Sequence, residues 1–127
     1  MSASDYLLAV QDVQAEVRQY SRFFVDHDIW LTPTLGQSPV PLGTLIYQGD
    51  PVDLRRRRSA AFNPYNYISN ASGQPAISLP LHWSEQGLPI GSMFTARYGH
   101  EATLLRLSAQ LEQAQPWNAR KPTVCSG

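Results

Sequence analysis

Between Ala76 and Trp83 the side chains alternate as a strand requires. Ile77, Leu79, Leu81 and Trp83 share one direction; Ala76, Ser78, Pro80 and His82 share the other. Ser84-Glu85-Gln86-Gly87 follows as a short polar turn closed by a glycine, and Leu88, Ile90, Phe94 and Ala96 form the apolar row of a returning strand interrupted by Ser92. The pattern predicts a β-hairpin entered through Ser72-Gly73-Gln74-Pro75. Pro80 and Pro89 cannot donate to a ladder, so each requires an edge, a strand end or a bulge. An isolated hairpin is marginal in water, and the remaining chain reads as what it packs against.

Upstream, Tyr6, Val10, Val13, Val17, Tyr20 and Phe24 recur at helical spacing, while Gln11, Asp12, Gln14, Arg18, Gln19 and Arg22 fall mainly on the other side. This predicts a helix of about five turns, capped by Ser4, starting at Asp5 and covering a sheet. Ile29-Trp30-Leu31-Thr32 reads as a short buried strand stopped by Pro33, and Thr34 to Pro51 as a Pro/Gly-rich loop. A loop of that length in a compact domain is usually functional or moulded on something it packs against. Ala60 to Ala71 has helical character, with Phe62, Tyr65 or Asn66, Ile68 and Ala71 as its inner face, and Gly73 is placed to stop it. A last helix opens after Gly99-His100 with the stripe Leu104, Leu107, Leu111 and Ala114, and Leu105 beside it. Pro116 ends it, and Trp117 pins the following tail.

The expected fold class is therefore α/β: a partial mixed sheet, one short strand plus a β-hairpin, covered by helices. The 127 residues suit a single domain (1–127), with neither repeat nor linker.

Charge changes this picture little. Ten basic residues balance ten acidic ones, which argues against nucleic acid or an anionic membrane surface as partner. The run Arg55 to Arg58 would circle a whole helical turn and reads as a solvated face. No apolar run is long enough to cross a bilayer, and the start shows no basic-then-apolar leader. The single cysteine, Cys125, allows no internal disulfide and reads as a tail thiol, so a cytoplasmic setting is expected.

Catalytic signals are absent from the chain. His27, His82 and His100 lie far apart and form no metal-ligand spacing, so neither metal nor cofactor is expected. No nucleophile elbow, P-loop or dinucleotide fingerprint occurs.

A resemblance is carried by an ordered set of segments: D-I-W-L-T-P-T-L-G (28–36), P-L-G (41–43), N-A-S-G-Q-P-A-I-S-L-P-L (70–81), G-L-P-I-G (87–91), E-A-T-L-L-R-L-S-A-Q-L-E (101–112) and P-W (116–117). In this order the chain resembles the C-terminal third of the amidase signature family, in particular bacterial members of the type that opens 6-aminohexanoate cyclic dimer. The resemblance implies a hydrolase of carboxamides three or four times this length, with a mixed sheet covered on both sides by helices. It also implies a serine nucleophile, a second serine and a lysine base, all N-terminal to the matched region. This chain lacks the Gly/Ser signature, its nearest imitation being Ala71-Ser72-Gly73, and its only lysine is Lys121. No catalytic residue is therefore carried over.

What the resemblance leaves to this chain is a wall of the substrate cleft, from Thr34, Leu35 and Gly36 together with Phe62, Asn63 and Tyr65 around Pro64. The resulting expectation is a C-terminal, non-catalytic portion of an amidase, partnered by the missing N-terminal region or by a homodimer mate. A small amide substrate is expected only in the full enzyme, and Met1 would then stand at an interior position of the family. The alternative from another class is a stand-alone binding or assembly module, which would carry polar residues on the face once covered.

Overall fold

The computed structural model describes residues 2–45, 49 and 60–121. The Arg55–Arg58 run and Cys125 lie outside them. In chain order the elements are α1 (Ala3–Ser21), α2 (Phe23–Asp26), β1 (Ile29–Pro33), α3 (Ala60–Phe62), α4 (Asn66–Ser72), β2 (Ala76–Trp83), β3 (Pro89–Ala96) and α5 (Glu101–Ala114).

The three strands form one sheet in the order β1-β3-β2, both pairings antiparallel. Phe94 of the central strand stands opposite Leu31 on one side and Ile77 on the other. Directly opposed residues of an antiparallel ladder share a face, so Leu31, Phe94 and Ile77 point the same way. Leu31 is nevertheless 59% exposed, so the edge strand β1 is partly open to solvent where its composition predicts a buried one. The prolines take the positions that a missing N–H allows. Pro33 ends β1, Pro89 begins β3, and Pro80 falls in the register shift between Leu79 and His82 on the edge strand β2. The same shift separates the far end of the hairpin from the core: Leu88 is exposed and Ile90 is only half-buried, instead of continuing the row of Phe94 and Ala96.

The core is formed where α5 crosses that face. Leu79, Phe94, Ala96 and Leu104 are buried together, with Ile29, Ile77, Leu81, Leu107, Leu111 and Trp117 around them. The expected stripe of the last helix thus faces inward through Leu104, Leu107 and Leu111; Leu105 and Ala114 are exposed. The opposite face carries Trp30, Thr32, Met93 and Thr95, and the Tyr20 ring meets Trp30 at 4.9 Å and Phe24 at 5.6 Å, edge-on in both cases.

Three further expectations are corrected. The first helix starts at Ala3, with Ser2 and not Ser4 as its cap. A reciprocal box needs an acidic or amide side chain three residues after the cap; Asp5 stands there for Ser2, whereas Leu7 would stand there for Ser4. The body of α1 packs mainly on α4, and none of its residues is buried. Tyr6 and Val13 of the stripe, and Leu7 and Leu8 beside it, are each more than half exposed, whereas Val10, Val17 and Tyr20 are half-buried and Phe24 is buried. Finally, the helix expected over Ala60–Ala71 is broken between Phe62 and Asn66. Pro64 has no N–H and forces its predecessor out of helical geometry, so the segment divides into α3 and α4. Gly73 does stop the helix: it adopts φ 70° and donates its N–H to the Ser69 carbonyl at 2.9 Å.

Candidate functional site

The site is organised by the way the chain leaves β1. Thr34 donates its backbone N–H to the Gly91 carbonyl at 2.9 Å, extending the strand contact one residue past Pro33. Its hydroxyl then meets that of Ser78, on the adjacent face of β2, at 2.6 Å. Gly91 lies between them. A Cβ built there would stand 2.5 Å from Thr34 Oγ1 and 2.7 Å from Ser78 Oγ, so the hydroxyl pair requires a residue without a side chain. Gly36 has a like role one step on: its N–H donates to the Phe62 carbonyl at 2.9 Å, and a Cβ would collide with the Ala61 carbonyl and the Pro64 ring. The two glycines let the loop after β1 lie against the β2–β3 hairpin on one side and α3 on the other.

Two cavities flank the hydroxyl pair and share it. One, of about 510 Å³, has mainly apolar walls from Pro33, Leu35, Pro80, Pro89 and Ile90. The other, of about 400 Å³, is lined by Asn63, Asn66, Ser69, Asn70 and Met93 among others. In this second cavity Asn63 Oδ1, Asn66 Oδ1 and Ser69 Oγ are buried without a hydrogen-bond partner among the described residues. Among the described residues, no Asp, Glu, Lys, Arg or His lines either cavity. Nor do any three His, Cys, Asp or Glu side chains among them converge as metal ligands would. A third depression, of about 800 Å³, runs between α1 and α4 along Val13, Val17, Tyr20, Tyr67 and Ile68, with Asp12 and Glu16 among its lining residues.

Four of the six expected site residues line these two cavities, and Phe62 and Tyr65 line neither. Thr34, Leu35 and Gly36 line the apolar cavity, Asn63 shares the polar one with Thr34, and Phe62 is tied to Gly36 through its carbonyl. Tyr65 precedes α4, its carbonyl accepting from the Ile68 N–H, and it lines neither cavity. Sequence reasoning missed Ser78, Gly91, Asn66 and Ser69. A glycine inside a strand signals close backbone or ligand approach, and Gly91 carried that signal. The arrangement can hold and orient a neutral polar group beside an apolar chain; the Ser78 hydroxyl is engaged by another hydroxyl and, among the described residues, has no basic neighbour in the cavity lining.

Comparison with known proteins follows this geometry. The family model described as Amidase matches residues 1–105. The AmiC protein of Mycobacterium leprae (strain TN) is 40% identical over 102 residues, which is 79% of this chain and 21% of that protein. The 6-aminohexanoate-cyclic-dimer hydrolase of Paenarthrobacter ureafaciens is 41% identical over 103 residues, 76% of this chain and 21% of the hydrolase. The solved structure of 6-aminohexanoate cyclic dimer hydrolase superposes with a TM-score of 0.85 at 32% identity, covering 97% of this chain and 27% of that one. The chain spans about a fifth of the length of these sequence relatives. No helix among the described residues is long and apolar enough to cross a membrane.

Proposed function

The chain belongs to the amidase family, and from that premise we propose that it supplies the scaffold and one wall of the substrate cleft of an enzyme that hydrolyses carboxamide C–N bonds. In this reading residues 1–127 act as one C-terminal unit. The serine nucleophile, its partner serine and the lysine base belong to a polypeptide segment outside this sequence.

The observation that carries the reading is the chemistry of the cleft. In this reading the cleft wall is the cavity lining that includes Thr34, Leu35, Gly36 and Asn63; among the described residues the Ser78 hydroxyl meets another hydroxyl and no base lines the cavity. An activated serine needs a base within hydrogen-bond reach. Phe62 supports this wall through its backbone carbonyl, which accepts from the Gly36 N–H, and Tyr65 precedes α4.

The exposed stripe of α1 supports the same reading over a stand-alone binding module. Tyr6 and Val13 of the stripe, with Leu7 and Leu8 beside it, keep apolar surface where a settled module would carry polar side chains. The remaining part of the enzyme is the partner that this stripe and the α1–α4 groove await; in its absence a second copy of the chain takes that place. A single cysteine fits a cytoplasmic setting.

The test is hydrolysis of simple linear amides by the purified chain, alone and co-expressed with a polypeptide carrying the Gly/Ser segment and the lysine. The reading expects turnover only when both are present. Turnover by the 127 residues alone would contradict it.

A further inference from the structure

We propose that a cavity at the far end of the sheet from the Thr34–Ser78 pair binds an organic carboxylate with an apolar body, its charge held by Arg97 and Gln74. The cavity, of about 400 Å³, is lined by Ser21, Phe24, Val25, Gln74, Arg97 and Tyr98. Arg97 follows directly on β3, six residues past Gly91. At the rise of a strand that is about 20 Å, so the site is separate from the proposed cleft wall.

The sheet brings these groups together. Ala76 pairs with Thr95, and the Ala96 N–H donates to the Pro75 carbonyl at 3.0 Å, which keeps the chains side by side where Gln74 and Arg97 stand. The Arg97 carbonyl accepts from the His100 N–H at 3.0 Å, and the Gln74 N–H donates to Ser72 Oγ at 3.3 Å, so both backbones are held. The Tyr98 ring lies against Gly73, where a Cβ would stand 3.4 Å from Cε2.

Two groups in the lining have unmet capacity. Gln74 is 6% exposed, and its Oε1 is buried without a hydrogen-bond partner among the described residues. With that oxygen sealed from solvent, the NH2 end is the part of the amide that a ligand can meet. Arg97 is exposed and has no ion-pair partner among the described residues, although Asp28 stands one residue before the Ile29–Ala96 pair on the neighbouring strand. Among the described residues no Asp or Glu lines the cavity, and the Ser21 hydroxyl already donates to the Val17 carbonyl at 2.8 Å.

These donors select the ligand. A guanidinium offers paired N–H groups that match a carboxylate, and the amide NH2 offers one more. Phe24 is buried, while Val25 and Tyr98 are exposed, so a hydrocarbon body resting on them removes apolar area from water on both sides. An inorganic anion gains the charge contact without that burial, and an ammonium meets Arg97 as a like charge. The carboxylate of a free acid and that at the end of a peptide present the same chemistry.

The experiment titrates the full chain at neutral pH with phenylacetate, acetate, inorganic phosphate and phenethylammonium. The readout is the backbone amide, Gln74 NH2 and Arg97 Nε–H resonances in nitrogen-15 correlation spectra. The proposal expects saturable phenylacetate shifts centred on Phe24, Gln74, Arg97 and Tyr98, and binding about tenfold weaker or less for the other three. Arg97→Gln is expected to weaken phenylacetate about tenfold, and Arg97→Lys by a smaller factor, since the charge remains while the fork is lost. Both act at an exposed position, and spectra of wild-type dispersion check that the fold is kept. Gln74→Met keeps the length and loses the NH2, and is also expected to weaken binding; the saturable shift of the Gln74 NH2 pair in wild type tests the same contact should that variant not fold. N-acetylphenylalanine separates the sources: tighter binding than phenylacetate assigns the site to a peptide end, weaker binding to a free acid. No saturable shift, shifts centred elsewhere, equal binding of acetate or phosphate, or unchanged affinity in Arg97→Gln would each overturn the proposal. Failure to bind leaves the scaffold assignment standing, and turnover by the chain alone defeats that assignment without touching this site.

Discussion

The guanidinium carbon of Arg120 lies 4.1 Å from the centre of the Trp83 ring, so the segment after α5 is fastened to the end of β2. Gln115 adds a side-chain N–H bond to the Leu81 carbonyl at 2.8 Å, and Trp117 packs against the core. A cation over an indole at an accessible site is worth about 0.5–1 kcal/mol, so Arg120→Ala is expected to lower the unfolding free energy by about that amount. Trp117→Ala removes apolar contact from the core itself and is expected to cost more, on the order of 3 kcal/mol. Urea unfolding of the two variants checks the order; a larger loss for Arg120→Ala contradicts it.

Two adjacent leucines test which face of α5 holds the sheet. Leu104 is 3% exposed and Leu105 is 64% exposed. Leu104→Ala is expected to cost about 3 kcal/mol, and Leu105→Ala to stay within about 0.5 kcal/mol of wild type. Similar unfolding midpoints for the two variants would show that the helix packs in another rotation.

The parts of this fold legible in the sequence are those with a local physical signal. Alternation located β2 and β3, glycine chemistry located the stop at Gly73, and the missing N–H of Pro80 and Pro89 required the bulge and the strand end that each occupies. What escaped notice depended on contacts between distant segments. Nothing near Thr34 or Ser78 in sequence announces that their hydroxyls meet, because the encounter is set by the register of β1 on β3 and the empty side of Gly91. The stripe of α1 was legible as a stripe, but periodicity says only that a helix has an apolar face, not which partner covers it. Asn63 and Tyr65 flank Pro64 in sequence, yet Asn63 lines the polar cavity while Tyr65 precedes α4 and lines neither cavity.

Tyr20 gives the chain an alkaline weakness. Its hydroxyl is buried without a partner among the described residues, and burial raises its pKa well above the ordinary 10.0. A raised folded-state value means that the stabilisation is complete below about pH 10 and is lost as the pH climbs beyond it. Tyr20→Phe keeps the ring contacts to Trp30 and Phe24 and removes the orphan hydroxyl. The variant is expected to be about 1 kcal/mol more stable at neutral pH and to lose less stability between neutral and strongly alkaline pH. Matching pH profiles for variant and wild type would contradict this.

Asp5 acts at the opposite end of the pH scale. The Ser2 backbone N–H, which donates to Asp5 Oδ2 at 2.7 Å, and then the Ser2 hydroxyl hold the carboxyl below its ordinary 3.8. A depressed folded-state value means that the contribution is present above 3.8 and disappears as the pH falls through the lower folded value. Backbone amide shifts of residues 2–6 are expected to report loosening of the first turn in that window, and Asp5→Asn to remove the transition. An unchanged acid transition in Asp5→Asn would contradict the capping box as its cause.

The central claim is that this chain contributes cleft and scaffold while the activated serine belongs to another segment. Intact-mass measurement after exposure to a serine-directed fluorophosphonate tests it most directly, since such reagents label activated hydroxyls and spare ordinary ones. The account predicts no stoichiometric adduct on the purified 127-residue chain. One adduct per chain, mapped to a single serine, would contradict it.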